Sequence, residues 1–95
     1  MNHSYIVYIL QDVTGAYYVG YTEDLAARIK AHQSGQGGIH TQKLLSPKLT
    51  YSEPHFTLIA AVKRERQLKG WSRAKKRALI EGNLTELKNL SRSRD

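Results

Sequence analysis

The 95-residue chain contains no cysteine. Disulfides, thiolate zinc sites and a cysteine nucleophile are excluded together, and the composition suits a reducing compartment. Long apolar runs are also missing: the longest early one, Tyr5 to Leu10, has six residues. That is too short for a signal-peptide core or a membrane span, and it has no basic leader, so the expectation is a cytoplasmic protein with no membrane partner. Proline occurs only twice, at Pro47 and Pro54, so little interrupts regular structure. Acids are scarce, eight Asp and Glu against fifteen Lys and Arg, which leaves a net charge of +7. A chain of this charge is expected to bind a polyanion, nucleic acid first.

What is present fits one domain over residues 1–95, with its core in about 4–81 and a C-terminal helix and tail over 83–95. The 40% apolar and 24% charged composition is that of a globular protein. Tyr5-Ile-Val-Tyr-Ile-Leu10 and Tyr17-Tyr-Val-Gly-Tyr-Thr22 are rich in β-branched and aromatic residues, and Asp12-Val-Thr-Gly15 between them is turn chemistry, so the spacing predicts a β-hairpin. Alternation puts Ile6, Tyr8 and Leu10 on one face and separates Tyr18 and Gly20 from Tyr17, Val19 and Tyr21. Both faces carry apolar bulk, so helices should cover them.

Thr22 is expected to cap a first helix that ends near Gly35. Its inner stripe reads Leu25, Arg28, Ile29, His32, so two of the four core-facing positions are polar. Residues 35–48, with three glycines and Pro47, read as a long loop. Leu49 to Glu53 is a candidate third strand that Pro54 ends or places at an edge. A second helix is expected from Thr57 to Leu68, its inner stripe Leu58, Ala61, Val62, Glu65, Leu68. A third spans Arg73 to Ile80 between Ser72 and Gly82. Asn83 with Glu86 resembles a capping box for a last helix, and Ser91 to Asp95 reads as a frayed tail.

Burying Arg28, His32 and Glu65 costs free energy unless each finds partners. Two explanations stand open: an Arg28–Glu65 ion pair with a hydrogen-bonded His32, or a shared site. From Lys63 to Arg77 there are eight basic residues and one acid, Glu65. They suit phosphate contacts or a solvated helix face in which Glu65 and Lys69 pair at i,i+4. Trp71 could stack on a base, but after Leu68 it reads better as core. The four histidines fall in different elements and show no zinc spacing, residues 35–38 lack the Lys-Ser/Thr of a phosphate loop, and no serine nucleophile signature is present.

The order Ile6-Val7-Tyr8, Tyr18-Val19-Gly20, Arg28 ten residues after Tyr18, then a Glu within a helix, resembles the GIY-YIG nuclease superfamily. With the string Arg64 to Ile80 it is similar to the small single-domain putative endonucleases, related to the N-terminal nuclease domain of excinuclease C. The resemblance covers about Tyr5 to Ile80. It implies an α+β fold, a three-stranded mostly antiparallel sheet flanked by helices in the order β-β-α-β-α-α, followed here by the C-terminal helix. It further implies a metal-dependent endonuclease acting on DNA, structure-selective rather than sequence-specific because 95 residues leave no room for a recognition domain. The alternative is a non-catalytic nucleic-acid-binding module of the same fold.

Carried over position by position, the resemblance implies catalytic roles for Tyr8, Tyr18, Arg28, His32 and Glu65, with Gly20 as the structural motif glycine. Glu65 would hold one Mg²⁺ or Mn²⁺, and no other acid is expected on an inner stripe. Tyr8 would activate or orient water, Tyr18 assist, and Arg28 clamp the scissile phosphate. Lys43, Lys63, Arg64, Arg66, Lys69, Arg73 and Lys76 are the expected nucleic-acid contacts, with Lys75 and Arg77 in the same run. The expected partner is DNA, whether single-stranded, branched or duplex, with a protein partner or a homodimer as further possibilities and DNA repair as the implied setting. Two departures from the family pattern are visible: Ile6 replaces its first glycine, and Tyr21 stands where some relatives carry a lysine.

Overall fold

The computed structural model describes residues 4–34 and 44–92. Three strands, β1 (Tyr5–Gln11), β2 (Tyr17–Thr22) and β3 (Lys48–His55), form one antiparallel sheet in the order β2-β1-β3. Four helices accompany it: α1 (Leu25–Gln33), α2 (Leu58–Lys69), α3 (Arg73–Glu81) and α4 (Leu84–Arg92). This is the expected α+β architecture.

The hairpin turn is built on Asp12, which is 8% exposed. Its Oδ1 accepts from the Thr14 amide at 2.9 Å and the Ala16 amide at 3.0 Å. Its Oδ2 accepts from the Leu45 amide at 3.3 Å, which ties the segment entering β3 to the turn. Gly15 takes φ +92°, a conformation that side chains rarely adopt. The resulting register sets Tyr8 opposite Gly20 and Leu10 opposite Tyr18, so these four share one face, as alternation predicts.

The other face carries the core. Val7, Ile9 and Val19 pack with Ala61 and Leu68 of α2, and Tyr5, Tyr17, Tyr51, Trp71, Leu79 and Ile80 close around them. Trp71 is therefore partly buried against the core. β3 runs through Pro54 to His55, because with β1 as its one neighbour it tolerates a residue lacking an N–H.

Helix boundaries differ from expectation in three places. Thr22 does not cap α1. Its pairing with Ile6 keeps it in β2, and the cap is Asp24, whose carboxylate accepts from the Ala27 amide at 3.1 Å. Thr57 is the N-cap of α2 rather than its first residue. Ser72 and Gly82 delimit α3 as expected, Gly82 at φ +69°. Asn83 Oδ1 accepts from the Glu86 amide at 3.0 Å, and α4 continues through Ser91 and Arg92, so the first two residues of the expected tail are helical.

Candidate active site

Tyr8 lies in the central strand and is fully buried. Gly20, directly opposite on β2, makes room for it. A Cβ at that position would stand 2.6 Å from the Tyr8 hydroxyl oxygen, 2.8 Å from its Cζ and 3.1 Å from a Tyr18 ring carbon. Any side chain at Gly20 would expel the phenol. The glycine thus serves close ring approach, and it does so with negative φ.

His32 reaches the same spot from the last turn of α1 and is 2% exposed. Its Nε2 is 3.1 Å from the Tyr8 hydroxyl. The ring centroids of Tyr8 and Tyr18 are 6.3 Å apart, Tyr8 and His32 6.0 Å, and Tyr18 and His32 5.3 Å, all tilted, which is the ordinary range for interacting aromatic rings. His32 Nδ1 is buried with no hydrogen-bond partner among the described residues.

The electrostatics follow from this burial. Desolvation and the neighbouring Tyr18 push the Tyr8 phenol up to about 12, against the charge and hydrogen bonding of Arg28, and the Glu65 carboxylate adds to the rise. Burial first and then the Arg28 charge hold His32 below its ordinary 6.5, so the imidazole is neutral at pH 7. Arg28, which is exposed, and Glu65, 9% exposed on α2, therefore both act on the same hydroxyl although they sit on helices on opposite sides of the sheet. Tyr8, Tyr18, Gly20 and His32 pack together, and Arg28 and Glu65 lie within electrostatic reach of the Tyr8 hydroxyl.

A family model described as the GIY-YIG catalytic domain matches residues 4–78 of this arrangement. The chain belongs to the GIY-YIG family. Its similarity to UPF0213 proteins of Staphylococcus aureus, strains Mu50 and N315 among them, is 38% identity over 78 residues, spanning 82% of this chain and 95% of theirs. The solution NMR structure of a UPF0213 protein from Bacillus halodurans aligns at a TM-score of 0.54 and 35% identity, covering 82% of this chain and 83% of that one. GIY-YIG membership places the chain in a nuclease superfamily with a nucleic acid substrate, DNA, whose members generally depend on a divalent metal.

The donor set fits such a metal in one respect. Among the described residues no three His, Asp or Glu are grouped to hold an ion. The Glu65 carboxylate, its side chain 12% exposed, is a hard oxygen donor within electrostatic reach of Tyr8, and Mg²⁺ or Mn²⁺ keeps several waters and accepts few protein ligands. Lys69 Nζ now stands 2.8 Å from Glu65 Oε2, so a cation at Glu65 must share that oxygen with an ammonium or displace it.

The basic residues divide. Lys63 and Arg66 are exposed on α2. Lys69 and Lys76 line a surface cavity of about 300 Å³ with Tyr17, Tyr18 and Val19, next to the phenols. Arg73 lies 4.6 Å from the Tyr17 ring centroid. Arg64 is engaged inward: its Nε and Nη2 donate to the two oxygens of Glu53 at 2.9 and 3.2 Å, and its guanidinium stands 5.2 Å from the Trp71 ring centroid. Lys75 is 6% exposed with Nζ 4.6 Å from that ring centroid, and Arg77 pairs with Glu81. Lys43 lies outside the described residues.

Sequence reasoning missed Glu53. It is a second acid on an inner face, contrary to the expectation that Glu65 is alone there. Besides Arg64 it accepts from the Tyr51 hydroxyl at 2.6 Å and lies 2.6 Å from His55 Nε2. The signal was available: Tyr51, Glu53 and His55 alternate on one face of β3, opposite Ile9, Val7 and Tyr5.

Proposed function

We propose that the chain is a metal-dependent DNA endonuclease that selects its substrate by structure rather than by sequence, using one Mg²⁺ or Mn²⁺ at Glu65. The observation that carries this reading is the convergence of a buried phenol, a neutral imidazole, a guanidinium and a buried carboxylate, which packing alone does not require. The scissile phosphate would lie against the exposed Arg28, whose planar fork matches two phosphoryl oxygens and counters charge as it builds. At a value of about 12, only about one Tyr8 in 10⁵ is ionised at pH 7, so a free phenolate is not the working base.

A relay avoids that cost. As water attacks phosphorus, its proton passes to the Tyr8 oxygen while the Tyr8 proton passes to Nε2 of neutral His32. This requires the His32 ring proton to be on Nδ1 beforehand. The P–O bond to the leaving oxygen breaks, and that oxygen takes a proton from solvent. Tyr18 packs against both rings and holds the phosphate's near side. The cation, when bound, supplies Lewis-acid polarisation of the phosphoryl oxygens and offsets the upward push of Glu65 on Tyr8. Lys63, Arg66, Lys69 and Lys76 would hold flanking phosphates, which makes binding weaken with salt.

A nicking assay on duplex, branched and single-stranded DNA with Mg²⁺ or Mn²⁺ tests this. Glu65→Ala and chelator are each expected to abolish cleavage while salt-sensitive binding remains. Equal trace cleavage by wild type and Glu65→Ala would leave the non-catalytic binding module as the reading.

A further inference from the structure

A second cavity, about 380 Å³, opens on the other side of Arg28. It is walled by Tyr5 from the start of β1, Tyr21 from the end of β2 and Leu58 from the first turn of α2, with Glu23 and Asp24 beside the N-terminus of α1. Its size is that of a small-ligand site, and its lining is mixed: two tyrosine rings and a leucine alongside Thr22, Glu23, Asp24 and Arg28, so a flat group there meets ring and aliphatic carbon on one part and polar groups on the other. Tyr21 is 36% exposed and Leu58 46%, and Phe56 and Ile59, two residues before and one after Leu58 and outside the cavity lining, are 83% and 70% exposed. A small protein rarely leaves so many large apolar side chains at one corner without a partner for them.

Charge decides what that partner is. In a chain of net charge +7, this cavity has two carboxylates against one guanidinium. A phosphodiester is repelled by Glu23 and Asp24, whereas a nucleobase is uncharged, stacks on tyrosine, and offers exocyclic N–H groups that carboxylates accept. Arg28 belongs to this cavity and also acts on the Tyr8 hydroxyl. A phosphate held by Arg28 at the phenols therefore places an adjoining base within reach of Tyr21.

We infer that the Tyr5–Tyr21–Leu58 cavity is a nucleobase subsite, holding the base next to the scissile phosphate. The inference rests on the nuclease reading for where the phosphate lies. A base in this cavity is out of the helical stack, so the substrate must present an unpaired or extruded nucleotide beside the cut. Selectivity for structure then arises within the domain, without a separate recognition module.

The test is an abasic scan: single-stranded oligonucleotides of one sequence, each lacking one base, with affinity measured by fluorescence anisotropy in chelator and the cut position mapped separately with Mn²⁺. For wild type, removing one base next to the cut is expected to weaken binding about 5- to 150-fold. In Tyr21→Ala the intact oligonucleotide should bind that much more weakly, and the abasic change should add less than twofold. Leu58→Ala, at an exposed position, supplies a second variant if Tyr21→Ala does not fold. An abasic penalty absent from wild type, or undiminished in the variants, overturns the subsite, as does a failure to bind the oligonucleotide. A coupled abasic penalty without cleavage keeps the subsite and overturns the nuclease reading instead.

Discussion

Two polar clusters flank the central strand, one on each face, the first half-buried and the second buried, and their hydrogen bonding differs. On the α2 side, Glu53 is saturated: Arg64 donates twice, the Tyr51 hydroxyl once, and His55 Nε2 lies at 2.6 Å. Burial alone would raise this carboxyl, but those hydrogen bonds and the Arg64 charge more than offset it and hold Glu53 below its ordinary value. On the α1 side, Tyr8 and His32 share one contact, His32 Nδ1 has no partner among the described residues, and the phenol is pushed up to about 12. Buried polar groups are normally satisfied, so a fold that satisfies one cluster and leaves the other short keeps the second for something that arrives later. The first cluster fastens β3 to α2; the second, under the proposed function, is kept for a substrate.

The sharpest way to break this contrast is to remove one hydroxyl. Tyr8→Phe should lower single-turnover cleavage roughly 10²- to 10⁴-fold while costing only about 1–2 kcal/mol of urea-unfolding stability, because it leaves the buried His32 Nε2 without its hydroxyl partner. A large stability loss with cleavage retained would assign Tyr8 to the scaffold instead.

The converse substitution should do the opposite. Glu53→Ala strands the Arg64 guanidinium and the Tyr51 hydroxyl, half-buried, without their acceptor, and should cost about 3 kcal/mol by urea unfolding. Cleavage by the fraction that stays folded should fall less than tenfold. Loss of cleavage beyond tenfold in a stable Glu53→Ala protein would show that the two clusters are not separate.

The smallest effect is on acidification, and the clusters should respond in different windows. Burial and Arg28 hold His32 below 6.5, so the unfolded chain takes that proton first and stability begins to fall as pH drops through 6.5. Glu53 is held below 4.5, so its contribution is fully present above that value and is lost as pH falls through its folded value. Stability measured against pH should fall in two steps, the upper one absent from His32→Gln and the lower one from Glu53→Gln. A single step shared by both variants would contradict the separation.

The hairpin, the face shared by Tyr8, Tyr18 and Gly20, the caps Ser72 and Gly82 and the core stripe of α2 from Ala61 to Leu68 were legible in the sequence, because each follows from periodicity or from a backbone preference within a few residues, whereas Leu58, expected on that stripe, is 46% exposed. The α1 cap was not, because strand pairing with Ile6 competed with capping at Thr22 and took it. Glu53 was overlooked because its meaning depends on Arg64, which is distant along the chain and close only once α2 has docked on β3.

The sequence by itself determined the elements, the family pattern and the six residues of the candidate site, since these reside in local order and spacing. Only the tertiary structure decided which polar groups are satisfied. It turned Arg64 inward to Glu53, set Lys69 on Glu65, left Nδ1 of His32 unpartnered among the described residues and opened the Tyr21 cavity beside Arg28. Hydrogen bonding and desolvation are properties of groups brought together from distant positions, and no local pattern encodes them.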